Sequence, residues 1–174
     1  MRFVAIKPYM IMFSLLLSVS GPLSAHEDIH NLPVATVVRL YKDYAWEAVI
    51  DQPNLISEGL LESSPGVLRK YFDGPLVALL LKDRTCGQAI CNLDFMPIWD
   101  GQDAGGTVAS IKATENPEVV TVTLRQPDGS CVELIYYLKK TVKGWRISDI
   151  KDPKMSWSLV SILSSPIDTD TAPQ

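Results

Sequence analysis

The sequence predicts an α+β domain whose N-terminal helices pack on one face of a curved, four-stranded antiparallel meander sheet. Three observations predict it. Apolar residues recur at helical spacing between Pro33 and Ile50, they alternate with polar residues from Gly106 onward, and short turn signals separate the alternating runs. Helices that precede such a sheet must bury their apolar stripes, and one face of the sheet is the available place.

The chain opens on a targeting segment. Arg2 and Lys7 carry the only charges before Glu27, an apolar run extends from about Tyr9 to Val19, and Ser20, Gly21, Pro22, Ser24 and Ala25 follow. Basic start, apolar middle and small-residue exit is the order of a secretion signal. Spanning a bilayer takes roughly 20 apolar residues, so no membrane span is expected once the signal is removed. Cleavage is expected after Ala25, with Gly21 as the second choice and an uncleaved amphipathic anchor as the other reading. The protein is then periplasmic or secreted. Residues 1–25 are signal, 26–164 one domain and 165–174 a polar tail.

Cleavage leaves 149 of the 174 residues and moves the formal charge from −4 to −6, because Arg2 and Lys7 are lost. A domain of that size buries roughly 68–70% of its extended-chain surface, enough for a core of its own. A mildly acidic chain without a basic run argues against nucleic acid and anionic membrane surfaces as partners.

Of the three cysteines, Cys86 and Cys91 lie close together among small and polar residues. Export permits a disulfide, and these two are expected to pair. Closing so short a loop is worth about 2 kcal/mol in the chain-entropy model. Four intervening residues do not make a redox motif of the two-residue kind. Cys131 sits in an apolar strand pattern and is expected as a buried, inert thiol, although pairing with another cysteine or another chain stays open.

Pro33 to Ile50 reads as the clearest helix. Val34, Val37, Val38, Tyr41, Tyr44, Ala45, Ala48 and Val49 make one stripe, with Arg39, Lys42 and Asp43 opposite. Asn31 is a candidate cap, and Pro33 suits a first turn. Trp46 falls on the polar side, either covered by the N-terminal tail or free as a contact point. Pro53 stops this element. A short helix is expected over Ser64–Phe72, and Asp73-Gly74-Pro75 restarts the chain into a helix from Leu76 to about Arg84. That helix is apolar nearly all round and therefore belongs inside. Thr85 to Gly106 reads as a long loop, a length often associated with function.

Strands are expected near Thr107–Thr114, Glu118–Arg125, Cys131–Lys139 and Trp145–Ile150. Val120, Val122 and Leu124 share a face, as do Val132, Leu134, Tyr136 and Leu138. Trp145 and Ile147 point inward. Asn116-Pro117, Gln126-Pro127-Asp128-Gly129-Ser130 and Lys143-Gly144 supply the turns. Trp157–Leu163 reads as a short closing helix.

Four stretches carry a family resemblance. These are the opening helix with Val38, Leu40, Tyr41, Tyr44 and Trp46, and the run Asp94-Phe95-Met96-Pro97-Ile98-Trp99 with Gln102-Asp103. The last strand, Gly144-Trp145-Arg146-Ile147-Ser148-Asp149-Ile150, and the tail residues Ser156, Leu159 and Leu163 complete the set. Together they resemble a bacterial family of exported proteins and lipoproteins whose domain has no assigned function. The order of elements resembles the cystatin-like cone of the nuclear transport factor 2 superfamily. The resemblance implies a cone fold with a pocket, and that superfamily holds enzymes and binding modules alike. No cysteine stands where a lipid anchor would be attached, unlike many relatives.

Candidate site residues follow from the loop and the aromatic set. Asp94, Asp100 and Asp103 surround Trp99, with Gln102 beside them. A carboxylate pushed into an apolar pocket gains a raised pKa and acts as an acid or base. The plainer reading has the aspartates capping turns and Trp99 sealing the core. Asp100 to Gly105 lacks the alternating oxygen ligands of a calcium loop. His26 and His30 are the only histidines, and with the freed α-amine at His26 they form a candidate copper or zinc site. Otherwise they belong to a polar tail. No serine-hydrolase elbow, zinc-protease helix or phosphate loop occurs.

Two function classes remain. The first is a non-catalytic binding module that holds a small ligand or an envelope protein, with Tyr44, Tyr71, Trp99, Gln102 and Trp145 as the contact set and no cofactor. The second is a pocket enzyme of dehydratase or isomerase type, with Asp94 or Asp103 as base and Tyr44 or Tyr71 as hydrogen-bond donor. A homodimer through the outer sheet face, at Glu133, Ile135 and Tyr137, is an expectation drawn from the fold resemblance.

Overall fold

The computed structural model of the chain describes residues 32–49, 58–86, 91–102 and 105–166. Helices come first: α1 (Pro33–Tyr44), α2 (Pro65–Leu68) and α3 (Gly74–Asp83). Strands β1 (Thr107–Ala113), β2 (Val119–Arg125), β3 (Cys131–Thr141), β4 (Gly144–Asp152) and β5 (Trp157–Ser158) follow, and α4 (Leu159–Ser164) closes the order. The sheet runs β1-β2-β3-β4-β5 with every neighbour antiparallel. The expected meander is present, but it has five strands rather than four. The fifth is two residues long, too short to show alternation, and it forms because the chain turns back beside β4 after Asp152.

Alternation builds the core. Val120, Val122 and Leu124 of β2 and Leu134, Tyr136 and Leu138 of β3 are buried on one face. Val37, Leu40 and Tyr41 of α1 belong to the same cluster, with Leu76 and Leu80 of α3 and Leu159 and Leu163 of α4. Each fully buried aliphatic side chain among them contributes about 1.5–3 kcal/mol relative to exposure. On β4 the alternation slips, since Tyr137 pairs with Asp149 but Leu138 pairs with Ile147. The extra residue, Ser148, is a bulge that lets Ile147 and Ile150 both face inward, and such bulges bend a sheet.

The opening helix is shorter than the spacing predicts. It ends at Tyr44 and tightens into a 3-10 turn over Ala45–Ala48. The tighter winding turns a different set of residues inward. Glu47 is buried there beside Ala48, whereas Ala45 and Val49 of the expected stripe are exposed; Val38, within α1, is exposed as well. Glu47 makes the change tolerable by accepting the Leu60 amide hydrogen. The helix expected over Ser64–Phe72 is one turn, Pro65–Leu68; turn bonds carry the chain on to Phe72, which bridges to Ile147. Ile147 donates to the Tyr71 carbonyl and accepts from the Asp73 amide.

Asp73 caps α3 by accepting the Leu76 amide hydrogen at 2.9 Å, a contact worth about 1 kcal/mol. The helix is not enclosed all round. Leu76, Val77 and Leu80 are buried, but Ala78 is exposed. Asp83, at its end, is buried and accepts the amides of Asn92 and Leu93. This fastens the chain beyond the Cys86–Cys91 disulfide, which is formed. Cys131 is free and exposed, not buried. The alternation that buries Leu134 and Tyr136 puts Cys131 on the opposite face, where it pairs with Arg125.

Candidate functional site

The predicted contact residues do not form one cluster. Tyr44 is buried and its hydroxyl meets Ser63 Oγ at 3.0 Å. Tyr71 donates to Asp43 Oδ2 at 2.6 Å, and the Tyr44 and Tyr71 rings meet edge to face at 5.8 Å. Burial is the main cause that raises both hydroxyl pKa values, so both stay protonated donors. Trp99 is buried against Tyr41, ring centres 5.3 Å apart. Trp145, on β4, is half-buried, and its carbonyl accepts from Thr36 of α1. Gln102 and Asp94 stand exposed and bond to each other at 3.3 Å. Asp103, His26 and His30 lie outside the described residues. Among the described residues, no group of three acidic, histidine or cysteine side chains is placed to hold a metal ion.

The centre of the core is a closed relay. The Tyr41 hydroxyl donates to the Ile98 carbonyl at 2.7 Å, so the Tyr136 hydroxyl, also 2.7 Å from it, donates to Tyr41. Burial, with Tyr136 beside it, raises the Tyr41 pKa well above its ordinary value. This relay fixes the loop through Ile98 and aims the residues on either side of it.

Two openings flank that loop. The first, of about 590 Å³, lies between the end of α1 and β1. Tyr41, Trp46, Val49, Trp99, Val108 and Ile111 line it, with Lys42 as its one charge among the described residues. The 3-10 turn creates this opening by turning Val49 outward, 72% exposed. Trp46 is held at the rim by its indole N–H, which donates to the Asp43 carbonyl at 3.1 Å.

The second is a hollow of about 390 Å³ between the Asp94–Gln102 loop and the turn joining β4 to β5. A backbone bond from Met96 N to the Gly101 carbonyl, 2.8 Å, pinches the loop. Asp100 takes a positive φ of 53° to close it, and Ser156 takes 59° in the facing turn. These are the only non-glycine residues with positive φ among those described, and such conformations cluster at functional sites. Asp100 Oδ1 accepts the Trp157 indole hydrogen at 3.0 Å, and Phe95 meets Trp157 edge to face at 5.2 Å.

Beneath them lies Asp152, 1% exposed. Its Oδ1 accepts the amides of Lys154 and Met155 at 2.6 and 3.0 Å, which shapes the turn. Its Oδ2 is buried and has no hydrogen-bond partner. Burial pushes the Asp100 carboxyl above its ordinary range. The Trp157 N–H opposes that shift, and the neighbouring Asp152 carboxylate adds to it. Sequence reasoning named Asp100 but passed over Asp152 and Trp157. The available signal was Asp152-Pro153, a turn-initiating pair directly after an alternating strand.

No family model matches the chain, and no curated protein matches it. Among solved structures, a phospholipid-binding protein from Ralstonia solanacearum, held in complex with a phospholipid, overlaps 75% of this chain and 68% of its own. The identity is 16% and the TM-score 0.32. An overlap at that score carries no argument about ligand or fold.

Proposed function

We propose that the protein is an exported, non-catalytic binding module whose opening beside α1 takes the apolar part of a small ligand. One observation carries this reading: an aromatic and aliphatic lining, open to solvent, with Lys42 as its one charge among the described residues. Its volume of about 590 Å³ falls within the range of small-molecule sites. The Cys86–Cys91 disulfide supports export, because cytosolic thiols are held reduced; cleavage near Ala25 is part of the same proposal. A helical layer on one face of an antiparallel meander supports the cystatin-like cone. Pairing of two copies through the outer face at Glu133, Ile135 and Tyr137 belongs to the same proposal, and the native mass reads it.

The test uses anilinonaphthalene sulfonate, an apolar anionic fluorophore, against the folded chain. Saturable binding with quenching of tryptophan emission is expected. Ala45→Trp fills the opening from an exposed helical position and should abolish that binding. Unchanged binding by this variant would sink the proposal. The alternative, a pocket enzyme with a loop carboxylate as base, draws on one observation, the raised pKa of Asp100 in the second hollow. In that reading Asp94 or Asp103 remains the proposed base; Asp94 stands exposed, and Asp103 lies outside the described residues.

A further inference from the structure

We propose that the second hollow binds a cationic nitrogen group, an ammonium or guanidinium carried on an apolar stem.

The argument starts from Asp152 Oδ2. A buried acceptor without a donor costs about 1–3 kcal/mol, and native structures rarely leave one. This oxygen lies in a side chain only 1% exposed that lines the hollow. Its other oxygen is already committed to the Lys154 and Met155 amides. The Asp100 carboxyl lines the same hollow, and Asp152 is among the causes that raise its pKa, after burial. Two neighbouring carboxyls, one of them on a residue with a positive φ, form a site that a cation can neutralise.

The surroundings select the ligand. Asp94 and Asp100 face the hollow from the loop, Asp152 from β4, and Lys154 from the turn. Asp149 is engaged elsewhere, by Ser158 Oγ, the Val160 amide and Lys151. Three carboxyls against one ammonium favour a cation. Phe95, Met155 and Trp157 line the hollow and supply apolar walls for a stem, and aromatic rings near a cation attract it. A volume of about 390 Å³ suits an amine with a ring or a short chain.

The incoming cation keeps its own protons, and its N–H groups donate to the acceptors on Asp100 and Asp152. No covalent bond forms or breaks.

Calorimetry with benzylamine and with benzyl alcohol tests this on the folded chain. Benzylamine should bind and the alcohol should not. Asp100→Asn keeps an acceptor for the Trp157 indole and gives Asp152 an amide donor, so it should fold while losing benzylamine affinity by about tenfold or more. Equal binding of the alcohol, or undiminished amine binding by Asp100→Asn, would each overturn the proposal. Ala45→Trp, which fills the other opening, should leave benzylamine binding intact. The two sites therefore fail separately.

Discussion

The Tyr41–Tyr136 pair and the Asp100–Asp152 pair are two solutions to one problem, the placing of two oxygen acids side by side in a protein interior. At the tyrosines the chain of donors is finished. Tyr136 donates to Tyr41, Tyr41 donates to the Ile98 carbonyl, and both side chains stay neutral. At the aspartates it is unfinished. One oxygen of Asp152 has no donor, Asp100 sits in a left-handed conformation, and burial pushes the Asp100 pKa up. The difference teaches where stability and binding capacity separate. A satisfied buried network rigidifies the core. An unsatisfied one stores a demand that a ligand can meet.

Breaking the finished region should cost most. Leu134→Ala removes a side chain with no exposed surface from the middle of the sheet and should lower unfolding stability by about 2–5 kcal/mol in urea titration. Next come the tyrosines, where the order matters more than the size. Tyr136→Phe leaves Tyr41 still bonded to Ile98 and should cost about 1 kcal/mol. Tyr41→Phe strands both the Tyr136 hydroxyl and the Ile98 carbonyl and should cost about 1–3 kcal/mol. Equal losses would mean that the relay does not run in the stated direction. The smallest effect has the opposite sign. With its folded pKa raised, Asp100 contributes stability that is fully present below the unfolded carboxylate pKa and is lost as pH rises through the folded value. Asp100→Asn lacks that loss. Its melting temperature should match the parent at low pH and exceed it slightly at neutral pH. A variant less stable than the parent at neutral pH would show that the carboxylate is not a burden there.

Most of the sheet was legible in the sequence because alternation has a period of two, and a strand either keeps it or fails visibly. Val120 to Leu124 and Val132 to Leu138 keep it. The same rule assigned Cys131 to the outer face, and reading that thiol as buried set its composition above its position. The turn at Tyr44 was not legible. Apolar spacing continues through Val49, and only the distant Leu60 amide, which gives Glu47 its partner, shows why the winding tightens. The hollow was half legible. Asp94, Asp100 and Gln102 stand within one run of sequence, but Asp152 and Trp157 reach them from the far end of the sheet. No local pattern announces a buried oxygen without a donor.

The sheet also ends differently on its two sides. Along β4 the backbone is met by Phe72 and by β5, whereas β1 is the outermost strand at the other margin. An outermost strand invites strand addition from another chain, the first step of ordered aggregation. Two features of β1 oppose it. Register slips between Val108 and Ser110, so the margin is not a straight template, and Lys112 brings positive charge to its exposed side. The fold thus carries its own guard against polymerising in β1, while the other outer strand, β5, is only two residues long.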